Sequence, residues 1–404
     1  MAGTTLGSHP SPSSRTSGNE TIVATSVEDT DSLRDDWIAV LARYGKETLD
    51  SAPEFFLPFL TGLGDITQPH VAVFRRDGVP SAVIVGRTAL RNIPCHIGHL
   101  KFRTPRLRCL DIVHGGLVSD GHQTSIRWVT THLKQLLESG QVEHIAINHL
   151  SVDDPVLDET IYPSISHHVL LSQNEPHWYA TLLDPKTGEA VDTHSSKTLR
   201  TFRRKDKKLL EHFNQQVNIE TVDGVSGKDL FLERACSIAA RTYQSAIGVG
   251  FADNPRWRTM LDTLAVNGYL RGYVLIAAGE PIAYVFGSVF RSVFTLIATA
   301  FIPKHRDIGP GAYLLRHVLR VLADQGVSTV DFGFGDAAYK RLHGTECRSD
   351  VNLVFYGSGP KVRLAQYMIA GRGLLLRLIG YLLRRTGTFD RIKKAWRLRL
   401  GARD

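Results

Sequence analysis

Val293-Phe-Thr-Leu-Ile-Ala-Thr-Ala-Phe-Ile302, Pro303-Lys-His-Arg-Asp-Ile-Gly-Pro-Gly311 and Ala312-Tyr-Leu-Leu-Arg-His-Val-Leu-Arg-Val-Leu-Ala-Asp-Gln325 follow one another directly. Their reading decides the fold. The first is an apolar run of the length and composition of a buried strand. The second is a short polar turn. In the third, Leu314, Leu315, Val318, Val321 and Leu322 recur at the helical period and share one face. Gly326 then stands where a left-handed C-cap residue is expected. A second apolar run, Val327 to Phe334, reads as another strand. Strand, glycine-rich turn, helix and strand make a βαβ unit between parallel strands.

The turn carries the chemistry. In Arg306-x-x-Gly309-x-Gly311-Ala312 the glycines let a ligand approach the backbone closely. The free N–H groups at a helix start, with the helix dipole, favour an anion such as a pyrophosphate. Arg306 adds a fork of charge-assisted donors. The competing reading is an ordinary junction, where glycine is common. Pro310 has no N–H, so the cradle has one donor fewer. A hydrogen bond lost to a charged group is worth about 1.5–3 kcal/mol.

Further on stands Asp331-Phe-Gly-Phe-Gly-Asp-Ala-Ala-Tyr-Lys340. The turn resembles motif A of the GNAT superfamily of acyltransferases. The second segment resembles the signature of the cellulose-biosynthesis acetyltransferase (CelD-like) family, a GNAT branch related to the Fem peptidyltransferases. The Pro310-Gly311 pair fits that branch; Gly333-Phe334 and Ala337 depart from its usual Leu-Arg and acidic residue. The resemblance spans residues 31 to 358 in layout, with the specific motifs in the second half. It implies an α/β fold of two tandem GNAT-like domains, mixed sheets flanked by helices, with a basic helical tail. It also implies acetyl-CoA or another acyl-CoA as donor. Its pantetheine arm would lie along Ala300, Phe301 and Ile302, and its pyrophosphate on Ile308, Gly309, Gly311 and Ala312 beside Arg306. Among the acid/base candidates, Asp336 is the first choice for general base. Tyr339 would protonate the leaving thiolate and Lys340 would hold an anionic group. Asp331 is either a catalytic or a structural carboxylate. The related Fem enzymes use aminoacyl-tRNA, so the donor stays open between the two.

Length and composition set the bounds. A chain of 404 residues with 43% hydrophobic and 22% charged residues suits two or three ordinary globular domains. The four cysteines contain no C-x-x-C pair and suit a reducing cytosol. Cys95, His96, His99 and Cys109 match no standard zinc spacing, so no metal is expected. No apolar leader and no run of roughly 20 apolar residues is present, which points to a cytoplasmic protein. The net charge of +8 is uneven: residues 361–404 hold twelve Lys or Arg and two Asp or Glu, leaving the remainder at −2. General nucleic-acid binding is therefore not implied.

In chain order, residues 1–30 are Ser/Thr/Gly/Pro-rich and expected to be disordered. Residues 31–194 read as a degenerate GNAT-like domain. Ser32 would cap a helix with Asp35 at its third position, and Asp77-Gly78 would turn a hairpin. Its strand-to-helix junction lacks the Arg-x-x-Gly-x-Gly pattern. His167, His168 and His177 read as strand or loop residues. Lys197 to Lys208 contains seven basic residues and one acidic residue on a helical pattern. It is either a solvated connector or a basic wall that attracts an anionic substrate or carrier. Residues 195–358 repeat the layout as the acyltransferase domain. Residues 359–404 form a basic segment that either packs on the body or lies on a membrane surface. The leading function is acyl transfer to a polysaccharide or other cell-envelope precursor. The alternatives are a Fem-like aminoacyl-tRNA-dependent transferase and a catalytically silent adaptor of a membrane polysaccharide-synthesis machine.

Overall fold

The computed structural model describes residues 19–45, 48–62, 67–97, 100–158, 165, 169–172, 174–191, 194–242 and 250–385. The chain divides into two compact units. One comprises residues 1–60, 64–173 and 351–373, the other 61–63, 174–350 and 374–404. The division expected at 194/195 falls earlier, at 173/174. Residues 351–373 return to the first unit, because the strand β13 (Glu346–Tyr356) serves both: its 346–350 part pairs in the second unit and its 353–355 part in the first.

The first unit opens with β1 (Asn19–Ala24) and the one-turn helix α1 (Val27–Thr30). Residues 19–30 are thus not disordered as their composition suggests. Thr21, Ile22 and Val23 supply β-branched residues that pair with β2 (Thr67–Arg76). Residues 1–18 lie outside the described residues. Helix α2 (Arg34–Tyr44) is not capped by Ser32, whose hydroxyl donates to the Asp29 carbonyl; its N-cap residue is Leu33, which makes no side-chain cap, while Ser26 caps α1 by accepting from the Asp29 N–H at 3.2 Å. Helix α3 (Pro53–Thr61), the hairpin β2–β3 (Val79–Ile97), β4 (Leu100–Ser119), α4 (Gln123–Glu138) and β5 (His144–Ser151) complete the layout. Strands β1 to β4 pair antiparallel, and β4 pairs parallel with β5. The short β6 (Val169–Leu171) pairs with β13.

Alternation splits this unit's core into two layers. Val71, Val73, Val83 and Val85 face Trp37, Leu41 and Phe56. Ala72, Phe74, Ala82 and Ile84 face Ile126, Val129 and Leu133 of α4. Both faces are covered, so the strands read as continuous apolar runs.

The second unit contains β7 (Glu175–Thr181), α5 (Ser196–His212), β8 (Val217–Val222), α6 (Lys228–Ala240) and α7 (Pro255–Val266). Next come β9 (Leu270–Ala277), β10 (Glu280–Phe290), β11 (Val293–Phe301), α8 (Pro310–Asp324), β12 (Thr329–Phe334) and α9 (Ala338–His343). Helix α10 (Pro360–Arg385) follows β13. The sheet order is β8-β9-β10-β11-β12-β7 and then the first part of β13. Among the described residues of this unit, β11 and β12 are the one parallel pair. Strand, helices, three antiparallel strands, helix and parallel strand recur in both units in the same order.

Phe231 of α6 packs on Tyr284 and Phe286 of β10. The other face of the sheet takes α8, whose Leu314, Leu315, Val318 and Leu322 are buried. Gly287 marks an irregularity in the β10–β11 ladder: Phe286 pairs with Ala298 and Gly287 with Leu296, so Ile297 is extra. A β-carbon at Gly287 would press on the Phe294 ring and the Thr295 carbonyl oxygen. Gly287→Ala is therefore expected to destabilise the protein by about 2 kcal/mol, read from the midpoint of chemical unfolding. An unchanged midpoint would show that the bulge tolerates a side chain.

Candidate functional site

The β11–α8 junction has the geometry of an anion cradle. Strands β11 and β12 pair only from Val293/Thr329 to Thr295/Asp331. Among the described residues no pairing continues beyond that point, and the bulge at Ile297 begins two residues later. The strands part there, leaving the rest of β11 without a partner on its β12 side. Pro303–Ile308 forms a tight 3₁₀ turn rather than an open polar loop. Gly309 is left-handed at φ 67, with open space where a β-carbon would stand, and serves as N-cap of α8. Pro310 takes the first helical position, where an N–H would have no intrahelical partner anyway. The first intrahelical bond is from Tyr313 N–H to the Gly309 carbonyl, at 3.0 Å. No side chain caps this helix, so the amides of Gly311 and Ala312 point outward at its positive end. Gly311 abuts the Phe301 ring and Arg306 is exposed.

At the equivalent junction in the first unit, side chains take up several backbone amides. There the Gly121 N–H donates to Ser119 Oγ at 3.3 Å and the His122 N–H to Asp120 Oδ1 at 2.9 Å. The Thr124 N–H donates to His122 Nδ1 at 3.3 Å. The Asp120 carboxylate, paired with Arg76 at 2.9 Å, already supplies the negative charge. The missing glycine pattern thus has a structural counterpart.

Helix α5 lies beside the cradle. Phe202 and Leu209 are its buried anchors. The Arg316 guanidinium of α8 stacks over the Phe202 ring at 4.7 Å and pairs with Asp206. At the helix end, Phe213 meets the His305 ring of the 3₁₀ turn at 5.4 Å. Lys197, Arg200, Arg203, Arg204, Lys205, Lys207 and Lys208 all remain exposed. The basic helix is packed against the cradle on one side and solvated on the other.

At the point where β11 and β12 part lies a buried polar cluster. His177 on β7 is 1% exposed, with neighbouring strands on both sides. Its Nε2 is 2.7 Å from Asp331 Oδ1 on β12, and its Nδ1 is 2.8 Å from Asp350 Oδ2 on β13. A carboxylate at each ring nitrogen favours the imidazolium form. Burial pushes the His177 pKa down, but the hydrogen bonds and charges of Asp331 and Asp350 outweigh it, and the net direction is up. The Tyr179 oxygen lies 3.0 Å from Nδ1. Burial and the two carboxylates hold the Tyr179 phenol protonated, well above its ordinary range. Asp331 Oδ1 also accepts the Gly333 N–H at 2.7 Å, and the Asp331 side chain keeps 12% exposure.

The candidates of the second signature separate. Asp331 is at the centre of this cluster. Tyr339 packs its ring on Phe332, and burial raises its phenol to about 12. Asp336 lies beyond the end of β12, exposed and paired with Arg341 at 2.7 Å. Lys340 does not present a free charge. It is buried and donates to the carbonyls of Gly333 and Phe334 at 3.1 and 2.7 Å, with burial lowering its pKa. It therefore locks the left-handed Gly333 and Gly335, at φ 72 and 84, instead of holding an anionic group. In the sequence His177 reads only as a strand or loop residue, and Tyr179 and Asp350 were not singled out. Their one signal was a polar residue in an otherwise strand-like run, and nothing local marks that as functional. Of the unsupported zinc pattern, Cys95 and Cys109 are buried and His99 lies outside the described residues. His167 and His168 lie outside them as well.

Comparison with known proteins bears on the fold. Residues 196–341 match the acetyltransferase (GNAT) domain family. The solved structure of FemX superposes with a TM-score of 0.54 at 11% identity, over 80% of this chain and 96% of that one. A conserved protein of unknown function from Bacteroides thetaiotaomicron superposes with a TM-score of 0.50 at 12% identity, over 80% and 97%. At these identities the likeness is one of fold. No curated protein matches the chain in sequence.

Replacing His177 leaves two carboxylates buried without their common partner. His177→Gln is expected to lose about 3–5 kcal/mol of stability near pH 6. The folded-state pKa of His177 stands above its ordinary 6.5. Its contribution is therefore complete below pH 6.5 and is lost as pH rises through the folded value. The gap between wild type and variant, followed by urea unfolding from pH 6 to pH 9, should narrow upward. A gap that widens with pH would show a neutral imidazole.

Proposed function

We propose that residues 196–341 transfer an acyl group from acyl-coenzyme A, acetyl-CoA in the simplest case, to a hydroxyl or amine of a saccharide or other cell-envelope precursor. The observation that carries this reading is the uncapped start of α8 at the end of a strand that has parted from its parallel neighbour. The donor's diphosphate would sit on the amides of Gly311 and Ala312 at Ile308 to Ala312, with Arg306 alongside. Its pantetheine would run along the unpaired edge of β11 at Ala300, Phe301 and Ile302. The exposed bases of α5 would draw in the polyanionic donor. The saccharide class rests on the resemblance of residues 331–340 to the CelD-like family, and the use of acyl-CoA places the reaction in the cytoplasm.

Chemically, the acceptor's oxygen or nitrogen attacks the thioester carbonyl and gives its proton to a base. The C–S bond then breaks, and the thiolate takes a proton from an acid. Asp331 is the base that best fits the geometry. It stands at the last β11–β12 pair, one oxygen is held by His177 and the Gly333 amide, and part of the carboxylate still reaches solvent. His177, itself held by Asp350, would orient the Asp331 carboxylate. The resemblance would make Tyr339 the acid, although its ring packs on Phe332, the strand neighbour of Asp331 that faces the other way. Asp336 remains the competing base. The likeness of fold to FemX and the amide missing at Pro310 favour one alternative, an aminoacyl-tRNA donor. A catalytically silent adaptor would bind neither donor, so calorimetry with acetyl-CoA and with aminoacyl-tRNA separates the three.

Two outcomes are expected. Gly311→Glu, which sets a carboxylate in the cradle, should weaken acetyl-CoA binding by at least tenfold in calorimetry while leaving the unfolding midpoint nearly unchanged. Equal affinity would remove this turn from the donor site. Asp331→Asn should lower turnover of any accepted acceptor by on the order of a hundredfold, with acetyl-CoA affinity retained. If Asp336→Asn instead shows that loss and Asp331→Asn does not, the base is Asp336.

A further inference from the structure

The first unit carries a surface that the acyl-transfer reading does not use. The far half of the β3–β4 hairpin and the start of α10 are packed together. Val362 and Ala365 of α10 bury against Leu107, Cys109 and Tyr356, with Ile93 at the margin. Cys95 of β3 donates its thiol to the Met368 carbonyl of α10, at 3.7 Å. Phe102 lies directly across the strand pair from Cys95, so it borders the helix.

The outward side of this assembly combines two properties. It exposes large apolar groups: Phe102 at 43%, Leu364 at 53% and Tyr367 at 74%. Pro360, Arg363, Leu364 and Tyr367 recur at helical spacing and line one shallow groove with Gly359. The two segments that form it are also rich in basic residues. Residues 79–110 contain six Lys or Arg and no Asp or Glu, and residues 360–385 contain another six and again no acid. Of the hairpin bases, Arg91 is paired with Asp111 and Arg108 lies near Glu143, while Arg103 and Arg106 are exposed. On the helix, Lys361 and Arg363 are exposed. Among the described residues no helix is long and apolar enough to cross a membrane. Yet seven of the ten residues from Leu374 to Leu383 are Leu or Ile.

We infer that this face docks on the surface of an anionic lipid bilayer. A helix lying in the interface needs an apolar side, Lys and Arg to meet the headgroups, and less hydropathy than a spanning segment. Tyrosine and phenylalanine at its border suit the headgroup level, where an apolar body meets a polar edge. Lys and Arg near an anionic leaflet attract it within a Debye length. An acidic protein would satisfy the charge, but gives no reason for single apolar side chains interleaved among the arginines along a helix. The inference is independent of the acyl-transfer reading.

The test is co-sedimentation of the full chain with vesicles of phosphatidylglycerol and phosphatidylcholine, against vesicles of phosphatidylcholine alone. The wild type should pellet with the anionic vesicles only, and part of the binding should survive moderate salt. The double variant Leu364→Asp and Tyr367→Asp should bind at least tenfold more weakly. Both positions are exposed, and an unchanged melting curve would confirm that only the surface was altered. Phe102→Asp should weaken binding in the same direction. Wild-type protein that stays in the supernatant with anionic vesicles overturns the inference. So does equal pelleting with neutral vesicles, or a double variant that binds like the wild type.

Discussion

In the second unit, a single imidazole joins three strands. His177 projects from β7 between a carboxylate on β12 and a carboxylate on β13, at 2.7 and 2.8 Å. Each buried ion loses several kcal/mol of hydration, which is regained only when geometry and hydrogen bonding are good. Here both imidazole nitrogens are engaged, and the Asp331 oxygen facing His177 also takes the Gly333 amide. The same carboxylate stands at the last pair before β11 leaves β12. The strand opening and the buried cluster therefore meet at the same residue.

This coupling gives the second signature a physical meaning. The glycines at 333 and 335 are needed because both positions are left-handed. Lys340 then reaches back and satisfies the two carbonyls that this turn exposes. Its ammonium is thereby spent on the backbone. The segment holds the end of β12 in a shape that aims Asp331 at His177. Tyr339 remains on the Phe332 side of the strand.

The two units show how one layout serves different ends. Each leads from an antiparallel meander into a helix and a parallel strand. In the first, Ser119, Asp120 and His122 occupy the amides at the helix start. In the second, Gly309 and Pro310 shape the helix start without capping it. A few side chains at a junction decide whether the positive end of a helix is neutralised internally or left for a ligand.

The sequence by itself determined the βαβ unit around residues 293–334, its glycine-containing turn and the helix at 196–212, because local periodicity and glycine placement encode them. It also marked Asp331 and the uneven distribution of basic charge. It did not reveal that residues 19–30 are ordered, since β1 is held by cross-strand pairing with β2 that composition does not record. It could not bring His177, Asp331 and Asp350 together. These lie 154 and 173 positions apart along the chain from the histidine, and only strand order makes them neighbours. Nor could it show that Lys340 turns inward while Asp336 faces solvent. Side-chain direction at the end of a strand depends on the two left-handed glycines and on what is packed behind them, and that is decided only in the folded chain.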